Sequence, residues 1–320
     1  MKEEYRKLLT GYLAARKESG FRDLPGMKKN INKLYIFLTE KGMGLSEMDL
    51  KEAQDYQGWL LGLKLKGGRK YASGTVSNFI KGAVSFYEYL KRSGVVITNP
   101  FSEIRRKKAR KKLPGNIPKE KELQQVLKCL AEYDEVEGLR NQKIRYKMHV
   151  VSELLYSTGM RAGEAASLKV DDISFEKRQV EYMDIKSHQS RTAFLNDYAG
   201  KILRIYVTEM REDILNAKNN KELLFGVSAN RLVHQLNQAL KEISKTHKLP
   251  RLTSHSFRHA VGYHFLRRGC NIRYIQQILG HKNIKNTEIY TKVDKEDLKQ
   301  VLDEYHPRKW RRKTDEETNL

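Results

Sequence analysis

Four short stretches hold side chains whose types and spacing could act on a phosphate ester. They are Ser157-Thr158-Gly159-Met160-Arg161-Ala162-Gly163-Glu164, His255-Ser256-Phe257-Arg258-His259, Leu279-Gly280-His281 and Thr287-Glu288-Ile289-Tyr290. A phosphodiester undergoing displacement gathers negative charge on its non-bridging oxygens. A guanidinium is always charged, planar and able to donate two parallel hydrogen bonds, so Arg161 and Arg258 suit that charge. His255 and Arg258 are three residues apart and would share one side of a helix. Tyr290 carries a phenol that can attack phosphorus and form a covalent phosphotyrosine. Its unperturbed pKa of about 10 makes it a poor nucleophile at neutral pH. Nearby guanidiniums would stabilise the developing phenolate and the pentavalent phosphorus together, at roughly 3–4 kcal/mol per preorganised donor. Each piece alone is weak: a lone H-x-x-R is more often structural, and the chain has 17 tyrosines, with Tyr305 the nearest rival. Order and spacing make the set specific. His255, His259, His264 and His281 lack a zinc-type spacing with acidic or Cys partners, so no metal and no cofactor are expected.

The elements that must position these groups are mostly helices. Lys119–Tyr133 is amphipathic, and Ile144–Tyr156 reads as a more buried helix stopped by Thr158-Gly159. Arg161 opens a short helix through Leu168, at an N-terminus whose backbone N–H groups favour an anion. The only strands expected are Arg178–Ile185 and Arg191–Leu195, joined by a polar turn into a hairpin. Lys186 leaves the first of them where a cation could reach substrate. Helices then follow at Tyr198–Arg211, Ala229–His247, Ser254–Arg268, Asn271–Leu279 and around Asn286–Tyr290, with Gly269 and Gly280 as C-terminal caps.

Residues 1–100 carry helical stripes of their own. Ile31, Leu34, Tyr35 and Leu38 share a face, and Val76, Phe79, Ile80, Ala83, Val84, Tyr87 and Leu90 form a longer stripe. Ser46 and Asp49 suggest a capping box ahead of a helix through Leu61, and Ser73 can cap the next. The pattern predicts four or five helices in a bundle. Lys64, Lys66, Arg69 and Lys70 surround a glycine loop and are candidate phosphate contacts. Asn99-Pro100 ends the bundle. Residues 101–116 then hold seven basic groups and one acidic: Arg105, Arg106, Lys107, Lys108, Arg110, Lys111 and Lys112 against Glu103. Like charges at this density repel, so this stretch reads as a tether laid along DNA. The expected division is 1–100, a linker at 101–116, a second domain at 117–305 and a tail at 306–320.

The whole chain of 320 residues carries a formal charge of +23, which points to a polyanionic partner, most simply nucleic acid. Two cysteines, Cys129 and Cys270, set up neither a disulfide framework nor a metal site. No secretory signal or membrane span is apparent, so a soluble, cytoplasmic protein associated with the nucleoid is expected.

The four stretches together resemble the tyrosine recombinase family (phage integrase and Xer-type). The N-terminal bundle is similar to that family's SAM-like core-binding domain, so the likeness covers nearly the whole chain. The resemblance implies a mainly α fold with a small antiparallel β-sheet in two domains, the second being catalytic. It implies a site-specific recombinase that cleaves and rejoins duplex DNA by transesterification, through a covalent 3′-phosphotyrosine. Arg161 and Arg258 would bind the scissile phosphate. His255 and His281 would hydrogen-bond it and assist proton transfer. Lys186 would protonate the departing 5′-hydroxyl, Tyr290 would be the nucleophile, and Glu164 and His259 would support the others. The family also implies a C-shaped clamp on a duplex recombination site and a tetrameric synapse in which about Lys295 to Tyr305 docks onto a neighbouring copy. Accessory DNA-bending or directionality proteins are possible partners. Three positions depart from the pattern. The lysine sits in Ile185-Lys186-Ser187 rather than a Gly-Lys-Gly-like turn, which leaves Lys177 as an alternative. Phe257 stands where leucine is commoner, and Ala260 where Ser or Thr is usual. A type IB topoisomerase shares this chemistry, and a DNA-binding protein without catalysis is the non-enzymatic alternative.

Overall fold

Helical spacing of apolar residues builds most of the described chain, which divides into two separate compact units, Met1–Lys111 and Lys112–Leu320. The computed structural model describes residues 2–21, 23–65, 67–104, 117–132, 139–185, 187–216 and 219–281, together with Thr287.

In the first unit, α1 (Lys2–Glu18), α2 (Leu24–Lys41), α3 (Leu50–Gly62) and α4 (Ser73–Arg92) surround one core. Asp23 starts α2 by accepting a hydrogen bond from Gly26 N at 3.0 Å, and Gly42, at φ +67°, ends it. Ile31, Leu34, Phe37 and Leu38 of α2 are buried with Val76, Phe79, Ile80, Ala83, Phe86, Tyr87 and Leu90 of α4. Each buried Val, Leu, Ile or Phe among them stabilises the fold by roughly 1.5–3 kcal/mol. Two caps differ from expectation. Asp49 itself caps α3, accepting from Lys51 N at 2.7 Å and Glu52 N at 3.0 Å, while Ser46 lies in a separate turn of 3₁₀ helix, Leu45–Glu47. Ser73 is already inside α4, whose cap, Ala72, has no side chain able to accept.

The second unit is built on α5 (Glu120–Ala131), α6 (Leu139–Thr158) and α7 (Ala162–Ala166), followed by a small sheet. The sheet has three strands, not two: β1 (Ile173–Ser174), β2 (Gln179–Met183) and β3 (Ser190–Phe194), antiparallel in that order. A two-residue strand is too short to leave a periodic signal, which is why only the hairpin was legible. Helix α8 (Asp197–Ile205) passes through a π turn at Tyr206–Met210 into α9 (Arg211–Ile214), where a single helix was expected. Helices α10 (Ala229–Thr246), α11 (Ser254–Arg267) and α12 (Ile272–Leu279) complete the described part. The predicted helix around Asn286–Tyr290 lies outside the described residues.

Helix α6 runs through the core, with Met148, Val151, Leu154 and Leu155 buried against α5, α8, α10 and α11. His264 fastens α11 to the start of the unit. Its Nε2 lies 2.8 Å from the Pro118 carbonyl and its Nδ1 lies 2.9 Å from the Tyr156 hydroxyl. A carbonyl only accepts, so Nε2 carries the hydrogen and the neutral ring accepts from Tyr156 at Nδ1. Burial lowers the pKa of this histidine, in keeping with the neutral form. No helix among the described residues is long and apolar enough to cross a membrane.

Candidate active site

Arg258 lies in the second turn of α11, only 6% exposed. Its Nη1 donates to the Gly159 carbonyl at 2.7 Å and its Nη2 donates to the Leu279 carbonyl. One buried guanidinium thus joins the turn that precedes Arg161 to the end of the helix that precedes His281. The turn after α6 is tightly shaped. Gly159 has φ +66°, and a Cβ there would come within 2.8 Å of Leu279 Cδ2. Only glycine combines that backbone with so close an approach.

Arg161 is the N-cap residue of α7. Its backbone N donates to Glu164 Oε2 at 2.7 Å, and its Nη1 donates to Glu164 Oε1 at 2.5 Å and to Asp184 Oδ2 at 3.1 Å. Glu164 is fully buried, whereas the Arg161 side chain keeps 18% of its surface open. Burial disfavours the charged guanidinium, but the Glu164 and Asp184 carboxylates outweigh it and raise its pKa. Arg161 is therefore charged, fixed from behind and open in front.

Asp184 was not picked out from the sequence. It follows β2 and shapes the hairpin turn, accepting from Ser187 N at 2.8 Å, while its backbone N donates to the Gln189 carbonyl. Arg191 was missed as well. In the β2–β3 register it stands opposite Tyr182, one of the core-facing residues of β2. Its Nη2 donates to the Gln277 carbonyl of α12, and its Nη1 lies 3.9 Å from Asp184 Oδ2. Asp184 thus stands between two arginines, and Arg191 links the hairpin to α12. The available signal was alternation: an arginine two positions before the buried Ala193 must face inward.

His281 follows Gly280, the left-handed cap of α12 at φ +61°. Its Nδ1 lies 2.9 Å from the Thr287 hydroxyl, and its backbone N donates to the Gln276 carbonyl at 3.0 Å. Thr287 is 1% exposed and belongs to the same short stretch as Tyr290. His255 is exposed at the start of α11, and His259 is half-buried one turn later. Burial, with His255 and Arg258 nearby, lowers the pKa of His259 and keeps it neutral.

The structure therefore gathers Arg161, Glu164, Arg258 and His281 with Asp184 and Arg191, and sets His255 and His259 on the helix that carries Arg258. Lys186 and Tyr290 lie outside the described residues. Lys177 sits at the other end of β2 from Asp184, roughly 20 Å away along an extended chain. The cluster holds three guanidiniums, two of them against the buried carboxylates of Glu164 and Asp184 and the third on backbone carbonyls, which leaves it positive and suited to a phosphate. In the first unit, Lys64, Arg69 and Lys70 are exposed on a tight loop where Lys64 pairs with Lys70 and Gly67 and Gly68 have positive φ. Lys66, Arg105, Arg106, Lys107, Lys108, Arg110, Lys111 and Lys112 lie outside the described residues.

Comparison with known proteins settles what kind of chain carries this cluster. Residues 119–297 match the phage integrase family. The chain belongs to that family. This recombinase is 31% identical over 261 residues to the tyrosine recombinase XerD of Oceanobacillus iheyensis, covering 79% of this chain and 82% of that one. It is 28% identical over 319 residues to XerC of Bacillus subtilis, covering 96% and 97%. In fold it is similar to the Tn1549 transposon integrase in complex with a circular intermediate DNA, at TM-score 0.66 and 16% identity over 93% of this chain and 98% of that one. It is also similar to XerH bound to a palindromic difH substrate, at TM-score 0.67 and 18% identity over 87% and 78%. The resemblance read from the four stretches, and the mainly helical fold with a small antiparallel sheet, are thereby borne out. The protein is a tyrosine-type site-specific recombinase.

Proposed function

We propose that this recombinase cuts and rejoins duplex DNA through a covalent 3′-phosphotyrosine at Tyr290. The observation that carries the reading is the buried Arg258, whose two hydrogen bonds draw the Arg161 and His281 stretches onto one point. In the proposed reaction the Tyr290 hydroxyl passes its proton to the His255–His281 pair as its oxygen bonds to the scissile phosphorus, and recovers it when the strand is rejoined. The bond from phosphorus to the 5′-oxygen breaks, and that oxygen takes a proton from Lys186. Arg161 and Arg258 donate to the non-bridging oxygens, and His255 and His281 hydrogen-bond the phosphate and help move protons. Glu164 and His259 hold the arginines and histidines in place. A 5′-hydroxyl from a second strand then attacks the phosphotyrosine and releases Tyr290. The ester stores the energy of the broken strand, so the exchange is close to neutral.

The same reading assigns the rest of the chain. Residues 1–100 clamp the duplex from one side, using Lys64, Lys66, Arg69 and Lys70. Residues 101–116 strap it, residues 117–305 carry the chemistry, and 306–320 form a tail. Four copies assemble on two sites, each passing the segment from about Lys295 to Tyr305 to a neighbour, with accessory DNA-bending or directionality proteins as further partners. The protein works in the cytoplasm, on the nucleoid.

The test is Tyr290→Phe, assayed on nicked suicide duplexes drawn from DNA that copurifies with the protein. Loss of the covalent adduct with duplex binding retained is the expected result. An adduct formed by Tyr290→Phe would overturn the assignment.

A further inference from the structure

A cavity of about 390 Å³ lies between α6, α9 and the first turns of α10. It is a different place from the arginine cluster. Lys147, on its wall, is 11 residues before the end of α6, or roughly 16 Å along the helix.

Lys147 is only 3% exposed, and among the described residues its ammonium makes no hydrogen bond or ion pair. Buried charges are normally paired, because leaving water costs them several kcal/mol. Burial, with the Arg231 guanidinium adding to it, pushes this lysine down to about 8, so it is still mostly charged at neutral pH. Arg231 lines the same cavity from the exposed first turn of α10. Lys143 lines it one helical turn before Lys147, its Nζ donating to the Asp213 carbonyl at 3.2 Å. Asp213 supplies the one carboxylate among the described lining residues, against three cations. Gln235 adds a buried amide oxygen without a hydrogen-bond partner. Turned over, that amide would present its NH2 group to an anion.

We propose that this cavity is a second phosphate seat, in which Lys147 and Arg231 hold one phosphate group remote from the cluster of Arg161 and Arg258. The volume is near the lower end of ligand pockets, ~300–1,000 Å³, and exceeds what a bare phosphate fills. A backbone phosphate with its adjoining sugar fits the space and the exposed Arg231 at its edge. Free inorganic phosphate has the same chemistry. The backbone source rests on the DNA reading above; the seat itself does not.

The experiment uses the full chain and two variants, Lys147→Met, which keeps the apolar stem, and Arg231→Gln, which changes an exposed residue. Thermal unfolding is followed in potassium chloride and in potassium phosphate of equal ionic strength. Phosphate should raise the melting temperature of the unmodified chain more than that of either variant. The salt dependence of binding to a plain duplex is then measured. The log–log slope should be shallower by about 0.9 in each variant if a backbone phosphate occupies the seat. An unchanged slope with the phosphate effect intact would assign the seat to the free anion. Equal stabilisation of all three proteins by phosphate, with no change in slope, would overturn the proposal. Failure of the unmodified chain to bind duplex would count against the DNA reading alone, since the melting comparison stands without it.

Discussion

Asp184 ties two arginines and the hairpin turn together through one carboxylate. Its carboxylate accepts from Arg161 and from the turn at Ser187, and it faces Arg191. Those bonds fix the direction in which the Arg161 guanidinium presents its remaining donors. Asp184→Asn has nearly the same shape but no charge, and its NH2 group opposes one arginine instead of accepting from it. A misplacement of about 1 Å in a catalytic group can cost ~10²-fold in rate. Strand cleavage by Asp184→Asn should therefore slow by about 10–100-fold, while duplex affinity changes less than threefold. Single-turnover cleavage on a suicide substrate, set beside a binding titration, separates the two. Equal losses in both would make Asp184 a residue of binding or folding, not of positioning.

At the level of elements, the turns between helices carry as much of the site as the helices do. Gly42 and Gly280 both cap a helix in the left-handed region, at φ +67° and +61°. A Cβ at Gly42 would meet open space, whereas one at Gly280 would overlap the Arg191 guanidinium. Backbone strain alone costs roughly 1–2 kcal/mol at either position. Gly42→Ala should lose about that much stability and keep its activity. Gly280→Ala should lose a similar amount and, by expelling Arg191 and shifting His281, also lose at least tenfold in cleavage rate. Equal activity in the two variants would show that the Arg191 contact is dispensable. This pair also marks where the sequence was legible and where it was not. Gly280 could be read as a cap from its place after an apolar helix, and the Arg161, Arg258 and His281 stretches could be picked out as one cluster from their chemistry and spacing. For Arg191 alternation shows only that it faces inward; its partner Gln277 is 86 residues away, and the bond of Asp184 to Arg161 depends on how the hairpin packs on α7, so neither partner could be read. Ser46 misled because several polar residues near a helix start can all cap it, and Asp49 is the one that does; Ser73 misled because α4 starts one residue earlier than its polar signal implies, with Ala72 at the cap position.

For the whole molecule, the division into two compact units falls between Lys111 and Lys112, inside the most basic run of the chain. Phe101 and Ile104 still pack into the core of the first unit, but the seven cations that follow within residues 105–112 are poorly suited to a packed core. Laid against a duplex, the same cations would each displace condensed counterions. The free energy of that release depends on salt, so the strap should dominate the salt sensitivity of binding and contribute little to sequence preference. Each phosphate neutralised adds about −0.9 to the log–log slope of affinity against salt. Changing Arg105, Arg106, Lys107, Lys108, Arg110, Lys111 and Lys112 to glutamine should make the slope shallower by several units, up to about 6 if all seven meet phosphate. Because none of these seven residues is among those assigned to the phosphate chemistry, cleavage of already bound substrate at low salt should stay within about threefold of the unmodified rate. A slope left unchanged by the seven substitutions would mean that the strap does not lie on the duplex. The +8 of residues 1–100 and the +9 of residues 117–320 would then have to account for the salt dependence of the whole chain.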